Sequence, residues 1–131
     1  MILVDTNVLV DVIHNDPIWL DWSLRALSKA QTKSVVTNFV VYSELHTHDA
    51  AGPHIDEFLD KLNVQILDLS KPAAQLAAHA FRAYRQRGGT NTGVLPDFFI
   101  GAHAQAGGYQ LLTRDAGRYK TYVPKIKLIC P

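Results

Sequence analysis

The sequence predicts one three-layer α/β/α domain around a parallel sheet, and three observations predict it. The chain has 131 residues with 47% apolar content, a length that suits one ordinary domain and a composition that gives it a real core. Five short apolar runs alternate with helix-length segments, the pattern of a parallel sheet covered on both faces. No linker, internal repeat or low-complexity stretch divides the chain.

Each element has local grounds. ILVDT at 2–6 reads as a buried strand closing on Asp5, and NVLVDVI at 7–13 turns helical despite its β-branched content. Asp16-Pro17 offers an N-cap and a first-turn proline for a helix to about Ala30, with Ile18, Leu24 and Leu27 inward. SVVT at 34–37 is a second strand, and a helix follows from Asn38 to about His48. AAGPH at 50–54 breaks that helix, and Pro53 opens another with the stripe Ile55, Phe58, Leu59 and Leu62. VQILDL at 64–69 is the third strand. Ser70 caps a long helix with Pro72 near its start, reaching about Gly88 and carrying Leu76, Ala80, Phe81 and Tyr84. After the GGTNTG loop at 88–93, Pro96 opens PDFFIGAHAQA, which Gly107-Gly108 stops. YQLLT at 109–113 and KIKLIC at 125–130 are the last two strands.

Composition excludes several chemistries. Cys130 is the lone cysteine, so neither an internal disulfide nor a multi-thiolate zinc site can form. The six histidines make no HExxH motif. The GGTNTG loop lacks the Lys-Ser/Thr end of a phosphate loop, and no Gly-x-Ser-x-Gly turn presents a nucleophilic serine. No apolar run approaches the roughly 20 residues of a membrane span, and the N-terminus lacks the pattern of a signal peptide. The expected location is therefore cytoplasmic. The formal net charge of +1 hides an asymmetry: residues 1–68 hold ten acids and four bases, residues 69–131 two acids and nine bases.

Four acids stand out because their neighbours are apolar. Asp5 closes the first strand, and Asp115 lies just past the fourth, where open parallel sheets bind ligands if the two strands are adjacent. Glu44 shares a helix face with Val40, Val41, Leu45 and His48, where an unpaired carboxylate is costly. Asp97 sits in a helix first turn among Leu95, Phe98, Phe99 and Ile100. Singly, each has an ordinary structural explanation, such as the favourable field at a helix start. Together they can form an oxygen-rich cage for Mg²⁺ or Mn²⁺. An aspartyl-phosphate enzyme is the main rival, but the acidic partner such a site needs near Asp5 is Asn7 here. Arg82, Arg85 and Arg114 are candidate phosphate contacts, with Arg87 and Arg118 close by in sequence.

The chain resembles PIN-domain ribonucleases, and among them the VapC toxins of toxin–antitoxin pairs. The resemblance covers nearly the whole length. MILVDTNVLVD looks like the family's opening, VVYSEL carries its glutamate, LPDFFIGAHAQAGGYQLLTRDAGRY looks like its C-terminal block, and VPKIKLICP like its closing strand. The resemblance implies strand order 3-2-1-4-5, which makes strands one and four neighbours. It implies a Mg²⁺- or Mn²⁺-dependent endoribonuclease with Asp5 and Asp97 as direct ligands. Glu44 and Asp115 would bind directly or through water, with Asn7 and Thr113 as supporting groups. It also implies a homodimer and a VapB-like antitoxin, for which the exposed parts of the helices at 7–13 and 38–62 are candidate surfaces. A non-catalytic RNA- or protein-binding protein on the same fold and a DNA-directed nuclease are the alternatives.

Overall fold

Strands β1 (Ile2–Val4), β2 (Val35–Asn38), β3 (Val64–Leu67), β4 (Gln110–Leu112) and β5 (Lys127–Ile129) form one parallel sheet in the order β3-β2-β1-β4-β5. The expected topology is thus observed, in a computed structural model that describes residues 1–48, 54–91 and 93–131. The break expected at 50–53, Pro53 and position 92 of the GGTNTG loop lie outside the described residues. Helices α1 (Thr6–Ile13), α2 (Leu20–Ala30), α3 (Phe39–His48), α4 (Ile55–Lys61), α5 (Lys71–Gln86), α6 (Leu95–Gly107) and α7 (Ala116–Tyr122) supply the crossovers. α1 packs with α2 and α3, α6 packs with α5 and α7, and α3 also meets α6. Right-handed crossovers put these two groups on opposite faces of the sheet.

β1 is buried at every position, as a central strand under two helical layers must be. Its register with β4 pairs Val4 with Leu112. The chain leaves β1 toward β2 on one side and returns through β4 on the other. The carboxyl ends of β1 and β4 therefore flank the point where strand order reverses. A second, smaller core of Ala77, Val94, Phe98 and Ala102 joins α5 to α6, sealed by Phe81, Tyr84 and Tyr122. Ser70 accepts from the Ala73 amide as the N-cap of α5, and Gly108 ends α6 in the left-handed region at φ 70°.

Three expectations need correction. Asp16 does cap a turn, accepting from the Ile18 and Trp19 amides, but α2 proper begins only at Leu20. Ile18 and Leu24 are consequently 80% and 42% exposed instead of inward. The buried stripe of α2 is Ser23, Leu27 and Ala30, and it contains a polar residue that an apolar-periodicity reading discounts. Second, β1 ends at Val4, and Asp5 is the N-cap of α1. Third, the segment after β4 forms α7, which its glycine and polar residues did not announce.

Ser23 is buried because of Asp11, which is itself only 1% exposed. Asp11 Oδ2 accepts from the Ser23 hydroxyl at 2.7 Å and from Arg114 Nε at 2.8 Å, and Oδ1 accepts from Arg114 Nη2 at 2.9 Å. The Arg114 guanidinium also lies 5.4 Å from the Trp19 ring centre. This pair ties the loop after β4 to α1. Removing one partner leaves a buried charge uncompensated. Asp11→Ala is expected to destabilise the fold by about 3–5 kcal/mol in urea denaturation, whereas a loss under ~1 kcal/mol would class the pair with surface ion pairs.

Candidate active site

Because β1 and β4 are in register, Asp5 and Thr113 emerge side by side at the carboxyl edge. Thr113 Oγ1 donates to Asp5 Oδ2 at 2.7 Å. Asn7 Nδ2 donates to the same carboxylate oxygen at 3.0 Å and to Thr113 Oγ1 at 3.1 Å, while Asn7 Oδ1 accepts from the Arg114 amide. The Thr6 amide donates to Asp5 Oδ1 at 2.7 Å. Among the described residues, Asp5 is thus held by three neutral donors and no cation.

α3 and α6 bring the other acids. Asn38 caps α3 through Oδ1, which accepts from the Val41 amide, so its Nδ2 donates to His103 Nδ1 on α6 at 3.1 Å. That leaves the His103 proton on Nε2, and burial holds its pKa below the usual histidine value. This contact ties the start of α3 to α6. Glu44 is half-buried, and its Oε1 accepts from Thr6 Oγ1 at 2.8 Å. Asp97 is 9% exposed, and its Oδ2 lies 3.0 Å from Arg118 Nη1. Asp5, Glu44, Asp97 and Arg118 line one cleft of about 200 Å³. A larger cavity of about 500 Å³ lies beside α2 and the starts of β1 and β4. Arg25, Lys29 and Lys33 line it and no carboxylate does, so the smaller cleft, with its three acids, is the candidate site.

The remaining expected residues are otherwise engaged. Asp115 does not line the cleft: it caps α7 through the Arg118 amide and pairs with Arg118 Nε at 3.0 Å. Arg114 reaches the cleft, but its guanidinium is taken by Asp11. Arg82 and Arg85 are exposed on α5, Arg85 over the Phe81 ring, and neither lines the cleft. The sequence reading passed over Thr6, Asp11, and Arg118 as a cleft residue. A charged residue inside the apolar stripe VLVDVI was the available signal for Asp11.

Electrostatics set the cleft apart from the Asp11 pair. Burial, reinforced by the charge of Asp97, pushes the Asp5 carboxyl up to about 6 against the donors that favour ionisation. Burial also raises Asp97, Arg118 pulls it back, and Glu44 and Asp115 raise it further. Tyr119 is fully buried against Gly101 of α6, where a Cβ would meet its ring at 3.2 Å. Its hydroxyl is near enough to Asp5 to stabilise the carboxylate, yet it completes no hydrogen bond of normal geometry. Among the described residues, no three His, Cys, Asp or Glu side chains are gathered closely enough to clasp an ion as they stand. The donor set still fits a hard divalent cation: all-oxygen, excess negative charge, and one orphaned buried hydroxyl beside it.

A family model described as the PIN domain matches residues 2–123. The chain belongs to the PIN domain family. Among solved structures it is similar to VapBC2 from Rickettsia felis bound to a promoter DNA fragment, at 21% identity and a TM-score of 0.77 over 99% of this chain and 98% of that one. It is similar to FitAcB from Neisseria gonorrhoeae at 21% identity and a TM-score of 0.74, over 98% and 96%. A toxin–antitoxin complex from Klebsiella pneumoniae aligns at 22% identity and a TM-score of 0.71, over 100% and 98%. At these identities the likenesses establish the fold. Comparison with curated protein sequences found no match.

The raised Asp5 carboxyl makes stability depend on pH. The folded state holds this proton more tightly than the unfolded chain, so the contribution is full below pH ~4 and is lost as pH rises through ~6. Compared by urea denaturation with Asp5→Asn, which cannot ionise, the metal-free wild type is expected to lose on the order of 3 kcal/mol more between pH ~4 and ~7. Parallel pH profiles for the two proteins would refute the assignment.

Proposed function

We propose that this protein is a metal-dependent endoribonuclease and the toxin of a toxin–antitoxin pair. The observation that carries the reading is the convergence of Asp5, Glu44 and Asp97 on one cleft at the carboxyl edge of β1 and β4, without enough cation to neutralise them. Membership of the PIN family and the fold shared with toxin–antitoxin proteins support it.

Asp5 and Asp97 are the direct ligands for Mg²⁺ or Mn²⁺ in this reading, and Glu44 binds through water or positions the attacking water. A bound ion supplies a Lewis acid that lowers the pKa of a coordinated water and offsets the charge of the phosphate. The residues do the rest. Asn7 and Thr113 fix the Asp5 carboxylate, so little reorientation is left when a ligand arrives. Thr6 holds Glu44 across the cleft. Asp115 acts through Arg118 instead of facing the cleft. A VapB-like antitoxin would dock on α1 and α3, where Phe39 is 53% exposed beside Tyr42. A homodimer is the expected assembly.

The purified protein should cut total cellular RNA in Mg²⁺ or Mn²⁺ and stop in EDTA. Asp97→Asn should still bind RNA and cleave about 100-fold or more slowly. Equal cleavage by that variant and wild type would remove Asp97 from the site, and selective cleavage of DNA would favour the DNA-directed alternative.

A further inference from the structure

The cleft already contains a cation of its own. Arg118, in the first turn of α7, reaches Asp97 Oδ2 through Nη1 and Asp115 Oδ2 through Nε, both at 3.0 Å. It is 47% exposed on its side chain, so the guanidinium lies at the cleft mouth, not in the core. The other arginine lining the cleft, Arg114, is neutralised by Asp11. The charge of Arg118 therefore serves Asp97 and Asp115 alone among the described ion pairs.

Resting on the metal-dependent reading above, we infer that Arg118 is a resident counter-ion that competes with the divalent cation for Asp97, and that once displaced it becomes a contact for the RNA backbone. An arginine cannot yield by losing its proton at any physiological pH. It can yield only by moving. A divalent ion at Asp97 and a guanidinium on the same carboxylate repel in a partly water-excluded cleft. The guanidinium has somewhere to go, because Nε is anchored on Asp115, which does not line the cleft, and the side chain is about half-exposed. A guanidinium held at one nitrogen and open at the other two suits the bidentate capture of a phosphate. This gives Asp115 a part that its absence from the cleft lining otherwise leaves open: it positions the arginine and does not bind the ion. It also explains why the acids do not close on an ion as they stand, since one of them is occupied by Arg118.

The test compares wild type, Arg118→Gln and Arg118→Lys, using Mn²⁺ alone as the first probe. Calorimetric titration without RNA should show Mn²⁺ binding about threefold or more tighter in Arg118→Gln, because its competitor is gone. Saturating Mn²⁺ should raise the melting temperature of that variant more than that of wild type. Steady-state cleavage of a short RNA should show KM raised about tenfold in Arg118→Gln, reflecting the lost phosphate contact. Arg118→Lys keeps the charge without the fork, so its Mn²⁺ affinity should stay near wild type while KM still rises. Unchanged or weaker Mn²⁺ binding by Arg118→Gln overturns the inference while leaving the metal site intact. Absence of Mn²⁺ binding by wild type overturns the metal-dependent reading itself.

Discussion

Buried negative charge at the junction of β1 and β4 is the constraint around which this molecule is organised. Asp5 is 4% exposed and receives only neutral donors. Burying such a group without a counter-charge costs several kcal/mol unless it protonates, and its carboxyl is accordingly pushed up to about 6. A second acid, Asp97, faces the same cleft and worsens the problem. The fold tolerates this because the sheet beneath is thoroughly buried, with Leu3, Val4, Leu111 and Leu112 inaccessible to solvent. The buried end of β1 holds Asp5, and the helices packed on the sheet hold Glu44 and Asp97 facing it.

Asp11 makes the comparison that separates structure from function. It is more deeply buried than either Asp5 or Asp97, yet it has a dedicated arginine and a serine hydroxyl. Its charge is matched and its carboxylate oxygens are bonded, so nothing remains for a ligand to do. The cleft acids are the reverse case: they have access and excess charge, and among the described residues the cation that pairs with Asp97 is a half-exposed arginine at the rim. Burial alone thus fails to mark a site. Unbalanced charge that a solvent ion can still reach is the better sign.

The strands were legible because each is a short apolar run bounded by polar or glycine residues, and the cap at Ser70 and the stop at Gly107-Gly108 follow from local chemistry. Asp5, Glu44 and Asp97 were legible as charges in apolar company. The adjacency of strands one and four was not, since nothing in five apolar runs states which pairs with which; the family resemblance supplied it. The misreadings share a cause. Ile18 and Leu24 were placed inward by apolar periodicity, while Ser23 takes the buried position because its hydroxyl bonds Asp11 on the preceding helix. Arg114 read as a free phosphate contact because its partner lies 103 residues away. Arg118 and Tyr119 acquire meaning only once α7 folds back over the acids. Partnerships of this kind are tertiary facts, and charge counts cannot disclose them.

The net charge of +1 is the clearest case of a sum concealing its terms. Arg114, from the second half, closes a pair with Asp11, from the first, while Arg118 holds Asp97 and Asp115 of its own half at the open end of the cleft. This open end is where we propose that a divalent cation binds. Anomalous diffraction from crystals equilibrated with Mn²⁺ tests it most directly. A single strong peak between the carboxylates of Asp5 and Asp97 is the expected result, with Glu44 within reach through one water. Full data with no peak in the cleft, or a peak only at surface carboxylates, would contradict the account.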